Sequence, residues 1–489
     1  MASQIMEGRR SGARAIDVAR VVCSLTVSAE MLACRPSDVL SVPPPAGVTV
    51  SSAYQSQSGV EALANTGKAG VFQGFAQADS GLLEWSGLLS DEFTWRFFAF
   101  QGAMANIDAR ITTGTAGFAE SGDAALGALL GARVTLVTAV DGLKKYEPPS
   151  GRAKIGEAYA LTGYTEVLLA EDYCAGVPLG RLVAGVGVQF GAPLTTDSLL
   201  SAAEADFDSA TAYTGGDATV AALAAIGLAR ARLDRGHYAQ AAAAVSAVPT
   251  SFVYAATLEP GSSGAPNAFN FYDFQAQVYA CGLANIGDHK GGNGLNYVSA
   301  QDPRLTLSTT VAETCDGVYG GSADSVWYYP MKFGNPSMAV PLATGVEARL
   351  VEAEAALQAG NVGPWANGLN ALRADSADTK VVFQTLLPPD STTTASAAEQ
   401  VDVMFRERAF WLFGTATRLG DMRRLVRQYG RDQGAVFPAG PYPNAHNPGL
   451  PVPLPNYGTD VNLTLPTPAS GTTTPNPNYK GCLTSTKVA

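Results

Sequence analysis

The sequence predicts a mostly α-helical protein. Its frame is a superhelix of helical hairpins resembling tetratricopeptide repeats, carrying a loop-rich irregular lobe and a few short strands. Three observations predict this. The alanine-rich stretch 220–249 reads as two helical arms around Gly236, with Tyr238 wedging the turn and Ala241 allowing close approach. Val346, Leu350, Ala353 and Leu357 recur at i, i+4, i+7 and i+11, the stripe of a half-buried helix. Between these helical regions, residues 250–342 turn to Gly, Asn, Ser, Tyr and Phe and lose helical periodicity.

The elements follow in order. Residues 1–15 carry Arg9, Arg10 and Arg14. An apolar run from Val21 to Ala29 comes next, and then Met31-Leu32-Ala33-Cys34. This order of positive, apolar and small residues predicts a lipoprotein-type export signal over 1–33, with Cys34 lipidated and 34–54 as a proline-rich tether. A frayed cytosolic helix is the alternative. No other run approaches the roughly 20 apolar residues of a membrane span.

Helices are predicted over 55–79, 98–111 and 123–146. A long helix from Gly151 is predicted to stop at Gly176, two residues before Pro178. Thr196 and Asp197 offer the cap of a helix through Ala212, and the 220–249 hairpin completes an N-terminal helical region, 55–249. The lobe spans 250–342, where the stretch from Ser325 to Phe333 has strand composition. A C-terminal helical region, 343–430, holds a first arm from Gly345 and a second from Pro364, a Ser/Thr/Pro loop over 376–396, and a helix over 397–429. Residues 431–489 read as coil wrapping the surface.

Within 397–429, Phe405, Ala409, Leu412, Phe413, Ala416 and Leu419 form one wide apolar face on a continuous helix. Arg418 and Asp421 are three apart and placed to pair. Arg423 and Arg424 sit near the helix end, where cations offset the dipole. This segment reads as a core strut, with no base, nucleophile or ligand set beside it.

Composition bounds the function. The chain has 489 residues, 46% apolar and only 15% charged, and its net charge is −11. It has no basic stripe, so nucleic-acid binding is not expected. His237, His289 and His446 are scattered and form no spaced zinc set. There is no phosphate loop or nucleophile elbow, and no cofactor is expected, although acidic loops leave room for a structural calcium ion. Of six cysteines, Cys174, Cys281, Cys315 and Cys482 follow the signal and allow three pairings. Closing the shorter loop joins Cys281 to Cys315 and leaves Cys174 with Cys482. Buried free thiols are the other reading.

Five stretches, in order, resemble one family. They are Ser86–Trp95 (SGLLSDEFTW), Tyr164–Gly180 (YTEVLLAEDYCAGVPLG), Glu347–Gly360 (EARLVEAEAALQAG), Arg406–Leu425 (RERAFWLFGTATRLGDMRRL), and Leu450–Thr464 followed by Asn476–Cys482. Together with the Cys34 motif they resemble the SusD/RagB family of outer-membrane nutrient-uptake lipoproteins. Two positions depart from its pattern: Phe413 stands where the family carries Glu, and Leu454 interrupts its isoleucine-proline pairs.

The resemblance implies a non-enzymatic, cell-surface binding protein partnered with a TonB-dependent (SusC-like) outer-membrane transporter. The ligand would be an oligosaccharide, or else a peptide. Sugar rings stack on aromatic faces, so the candidates are aromatics in loop-rich context: Trp85, Trp95, Tyr272, Tyr297, Tyr319, Trp327 and Tyr328. Each is set against simple packing, Trp85 and Trp95 serving only to seat the Asp91-Glu92 segment. Asn270–Phe274 and His289–Tyr297 look like exposed recognition loops. Asp91 and Glu92 read as a solvated or capping pair, and Glu347 and Glu354 as structural acids sharing a helix face. The competing class is an exported helical-repeat scaffold that binds a protein partner or builds a surface assembly. A glycoside hydrolase, needing two carboxylates about 5–10 Å apart in a cleft, ranks third.

Overall fold

A computed structural model describes residues 54–77, 81–95, 102–111, 118–258, 284–311, 326–330, 332, 339–442, 454–466, 478 and 480–483. The predicted signal and tether lie outside the described residues. The helices of seven or more residues are α1 (Gln57–Ala76), α2 (Leu82–Leu89), α3 (Gly102–Asp108), α4 (Phe118–Tyr146), α5 (Arg152–Asp172), α6 (Thr196–Ala212), α7 (Ala218–Asp234), α8 (Tyr238–Val245), α9 (Gly345–Gln358), α10 (Val362–Ala374), α11 (Ala397–Trp411) and α12 (Arg418–Arg427). The strands are β1 (Thr94–Trp95), β2 (Val177–Val183), β3 (Gly187–Leu194), β4 (Val253–Ala256), β5 (Ala284–Asn285), β6 (Leu307–Val311), β7 (Val326–Pro330) and β8 (Val340–Thr344). They form four antiparallel two-stranded pairs: β1–β5, β2–β3, β4–β8 and β6–β7.

The frame is stacked helix pairs: α1 on α4, α4 on α5, α5 on α6, α6 on α7, α7 on α8, and α9 on α10. Small residues set the spacing. A Cβ on Gly67 or Gly74 would stand 2.7–2.8 Å from Leu136 or Leu129 of α4. One on Gly227 would reach 2.2 Å from the Phe207 ring. The α7–α8 turn is made as expected by Gly236, at φ +76°. The α9, α10 and α11 core gathers Leu350, Trp365, Leu369, Met404 and Phe405, all at most 2% exposed. Helix starts are capped by their own sequence. Ser396 and Glu399 form a reciprocal capping box on α11, and Asp217 accepts two backbone N–H groups on α7.

Four expectations are corrected. First, α5 ends at Asp172, not Gly176. Tyr173 bridges to Leu463 and Cys174 is disulfide-bonded to Cys482, so the chain leaves the helix extended. It then forms the unanticipated β2–β3 hairpin, whose turn uses Gly185 (φ +76°) and Gly187 (φ +98°). Second, the 397–429 helix breaks at 412–417, with Gly414 at φ +68° and Ala416 at φ +54°. Lys332 donates to the carbonyls of Trp411 and Phe413, and the Gly414 N–H donates to Glu92, so tertiary partners replace the helical bonds. The six apolar residues are all buried nonetheless, on two helices and their link. Third, the cap of α6 is Thr195. Fourth, Ala124–Tyr146 of α4, mean hydropathy 1.5, is long and apolar enough to cross a membrane by length and composition. Here it packs against α1 and α5.

Candidate binding surface

The lobe is fastened to the frame by buried charges. The α2 segment and the turn after it, Leu82–Trp95, are buried throughout. At its centre Asp91 accepts two hydrogen bonds from Arg418, at 2.7 Å from Nε and 2.9 Å from Nη2, and a third from the Leu295 N–H at 2.9 Å. Burial disfavours the Asp91 charge, but the Arg418 guanidinium outweighs it and holds the carboxyl below its ordinary range. Arg418 therefore pairs across the molecule and not with Asp421, as its spacing suggested. Asp421 instead receives Arg408 at 2.8 Å and Arg424 at 2.6 Å, and is held down to about 2 against its burial.

Arg423 and Arg424 are buried near the end of α12, with Arg424 in its last turn. Arg424 joins Glu354, which also accepts the Tyr429 hydroxyl at 2.6 Å. Arg423 donates to the carbonyls of Ala170 and Glu171. This closes the last turn of α5, whose carbonyls lack partners within the helix.

Three more cations carry the lobe. Lys290 donates to the carbonyls of Leu88, Ser90 and Phe93 and lies 2.7 Å from Asp108. Arg304 grips Asp302 at 2.6 Å and Glu407 at 2.8 Å, and Glu407 also receives Arg373 at 2.5 Å. Lys332 follows β7 onto the end of α11. The His289–Tyr297 loop is only partly exposed: Lys290 and Tyr297 point inward, while His289, Gly292 and Asn293 stay at the surface.

The predicted aromatics separate accordingly. Trp85, Trp95 and Tyr297 are 0% exposed, so they are core residues and not ligand platforms. Tyr297 packs on Phe410 and Phe413, with ring centres 5.1 and 5.2 Å away. Tyr328 is half-buried on β7, opposite Thr309 of β6, and its carbonyl accepts the Ile286 N–H at 3.1 Å. Trp327 also belongs to β7, opposite Thr310. Tyr272, Tyr319, the Asn270–Phe274 loop, and Cys34, Cys281 and Cys315 lie outside the described residues. Cys174 and Cys482 form a disulfide with Cα atoms 5.6 Å apart. Of the predicted aromatics whose side chains are described, only Tyr328, on the β6–β7 hairpin, is not fully buried. Sequence reasoning missed the lobe's supports, Lys290, Arg304 and Lys332. An isolated lysine in a polar loop carries no sequence mark of burial.

The charged interior has a chemical reading that geometry limits. Burial pushes Glu92 up to about 8, and burial pushes the neighbouring Lys332 down to about 8. A neutral acid beside a weakened amine resembles an acid–base pair. Glu92 is 1% exposed and hydrogen-bonded to Gly414, and neither residue lines either of two grooves on the helical frame. One groove, about 370 Å³, runs along the α9–α10 seam beside Arg349, Glu352 and Asp375. The other, about 260 Å³, lies over α1, α4 and α5. Elsewhere the β2–β3 hairpin exposes Leu182 (47%), Val186 (65%) and Val188 (46%).

No family model matches the chain, and no curated protein does. Solved structures do. A SusD-like carbohydrate binding protein from Bacteroides fragilis aligns with a TM-score of 0.55 at 16% identity, covering 83% of this chain and 94% of its own. A SusD superfamily protein from Bacteroides thetaiotaomicron gives a TM-score of 0.55 at 14% identity over 79% of this chain and 95% of its own. B. fragilis NanU gives 0.54 at 12% identity over 85% and 100%. At these identities the likeness shows the fold: the chain has the SusD-like fold of paired helices with a loop-rich lobe.

Proposed function

We propose that this protein is a cell-surface lipoprotein, anchored through Cys34, that captures an oligosaccharide and passes it to a TonB-dependent outer-membrane transporter. The observation that carries the reading is the SusD-like fold, whose solved neighbours include proteins described as carbohydrate-binding. The physical argument agrees with it. Buried ion pairs at Lys290 and Arg304 tie the described parts of the lobe to the frame, and a surface held in place loses little conformational entropy when it binds. The aromatic faces of the lobe supply stacking for the apolar C–H faces of sugar rings. Trp327 and Tyr328 on β7, with Tyr272 and Tyr319, are the ligand contacts assigned. No bond is broken on this subunit, and chemistry on the nutrient belongs to other proteins.

A second reading, an exported scaffold that binds a protein partner, draws on the exposed apolar side chains of the β2–β3 hairpin. The test is a glycan and peptide binding screen on protein lacking residues 1–34. Binding to a glycan class that falls at least tenfold in Tyr328→Ala or Trp327→Ala, with an unchanged melting temperature, supports capture by the lobe. Binding to neither class removes nutrient capture and leaves the scaffold reading.

A further inference from the structure

The groove over α1, α4 and α5 has features that the lobe reading does not use. Its floor is apolar: Leu136 and Leu161, with Ala64 and Ala158 leaving the space. Its volume, about 260 Å³, falls just below the range of drug-sized ligand pockets, roughly 300–1,000 Å³. That is room for a single ring and not for a chain of sugars.

Charge gathers at two ends of this groove. At one end Lys68 Nζ lies 2.7 Å from Glu157, whose carboxylate also accepts the Tyr254 hydroxyl at 2.7 Å. That pair balances. At the other end Lys154 pairs with both Glu61 and Glu147, the latter at 3.0 Å. The Gln57 amide also reaches both, at 3.0 and 3.5 Å. Two carboxylates thus share one ammonium, and the end is short of one positive charge. Lys154 holds Glu61 down to about 2, while burial and then the nearby Glu61 push Glu147 up. The net charge of −11 adds a field that favours cations. Glu61 has a side chain 31% exposed, and Asn65 is exposed on the rim, so an incoming molecule can reach both.

We propose that this groove is a second ligand site, one for a small hydroxylated ammonium compound of amino-sugar size. The ammonium lies against Glu61 and supplies the missing charge. The hydroxyls bond to Asn65, Lys68 and Glu157, and the ring rests on the Leu136–Leu161 floor. The site is independent of the ligand held by the lobe.

The experiment is saturation-transfer NMR on the purified chain at pH 7 and low salt, with glucosamine, N-acetylglucosamine and glucose as probes. The expected result is a glucosamine signal at least fivefold above the other two. It falls at least threefold in Glu61→Gln, which removes the charge, and in Asn65→Trp, which blocks the rim. It is unchanged in Tyr328→Ala. Both rim positions are solvent-facing, and circular dichroism melts identify any variant that fails to fold, leaving the other to decide. Equal signals from all three sugars, absence of a glucosamine signal, or a signal unchanged in the folded rim variants would overturn the proposal.

Discussion

Breaking the Cys174–Cys482 bond gives the most quantitative check on how the chain ends are held. The two cysteines are 308 residues apart. In the chain-entropy model a closed loop of that length removes about 5.7 kcal/mol from the unfolded ensemble at 25 °C. Real disulfides deliver roughly 2–5 kcal/mol, because denatured chains retain structure. In the folded protein the tail has other holds: the Leu483 N–H donates to Ala175 at 2.7 Å, and Asn478 donates to Phe190 at 2.7 Å. The native geometry at Gly176 therefore survives reduction, and the loss falls on the unfolded side. We predict that Cys174→Ser with Cys482→Ser lowers global stability by about 3–5 kcal/mol. Urea unfolding followed by tryptophan fluorescence measures it. The slope with urea should rise slightly, since the unlinked chain exposes more surface. Dithiothreitol should shift the wild type and leave the double variant where it is. An identical urea midpoint for wild type and double variant, or peptide mapping that finds both thiols free, would refute the reasoning.

Other predictions follow from the buried interior. Arg418→Ala leaves Asp91 charged and dry, and should cost about 3–5 kcal/mol. A paired Asp91→Asn, Arg418→Met variant should recover most of it in the same urea assay. Trp85→Ala should cost about 3–5 kcal/mol by leaving a core cavity, with melting and binding lost together. Tyr328→Ala should lose binding without a change in melting temperature. For pH, Glu92 and Glu166 are raised to about 8 and Asp172 to about 7, each chiefly by burial. Between about 4.5 and 8 the folded state binds more protons at these groups than the unfolded chain does, so their contribution is fully present below about 4 and is lost as pH rises towards 8. Asp91 and Asp421 are lowered and act oppositely, contributing above about 4 and losing that contribution as pH falls through their folded values. Differential scanning fluorimetry should therefore place the highest melting temperature near pH 5, with a decline by pH 8.5 that Glu92→Gln flattens. A melting temperature that climbs from pH 5 to 8.5 contradicts the burial argument.

The sequence by itself determined the helical frame, because its information is local. Apolar spacing in 345–358, small residues and a turn glycine in 218–245, and side-chain caps such as Ser396 and Asp217 specify helices within a few residues of themselves. The ordered resemblance of five stretches pointed to the SusD-like fold for the same reason: each stretch is a local pattern. Three things depended on contacts between residues far apart in the chain. The first is the break at 412–417, made by Lys332 and Glu92, neither of which leaves a mark in the helix it interrupts. The second is the partner of Arg418, which is Asp91, 327 residues away, and not Asp421 three residues on. A guanidinium buried at 6% exposure takes whichever carboxylate the fold brings to it. The third is which of the predicted aromatics lie in the core. Trp85, Trp95 and Tyr297 look like surface groups in polar, glycine-rich text. Tertiary packing put them in the core, since burying a large ring releases more free energy than any local preference can offset.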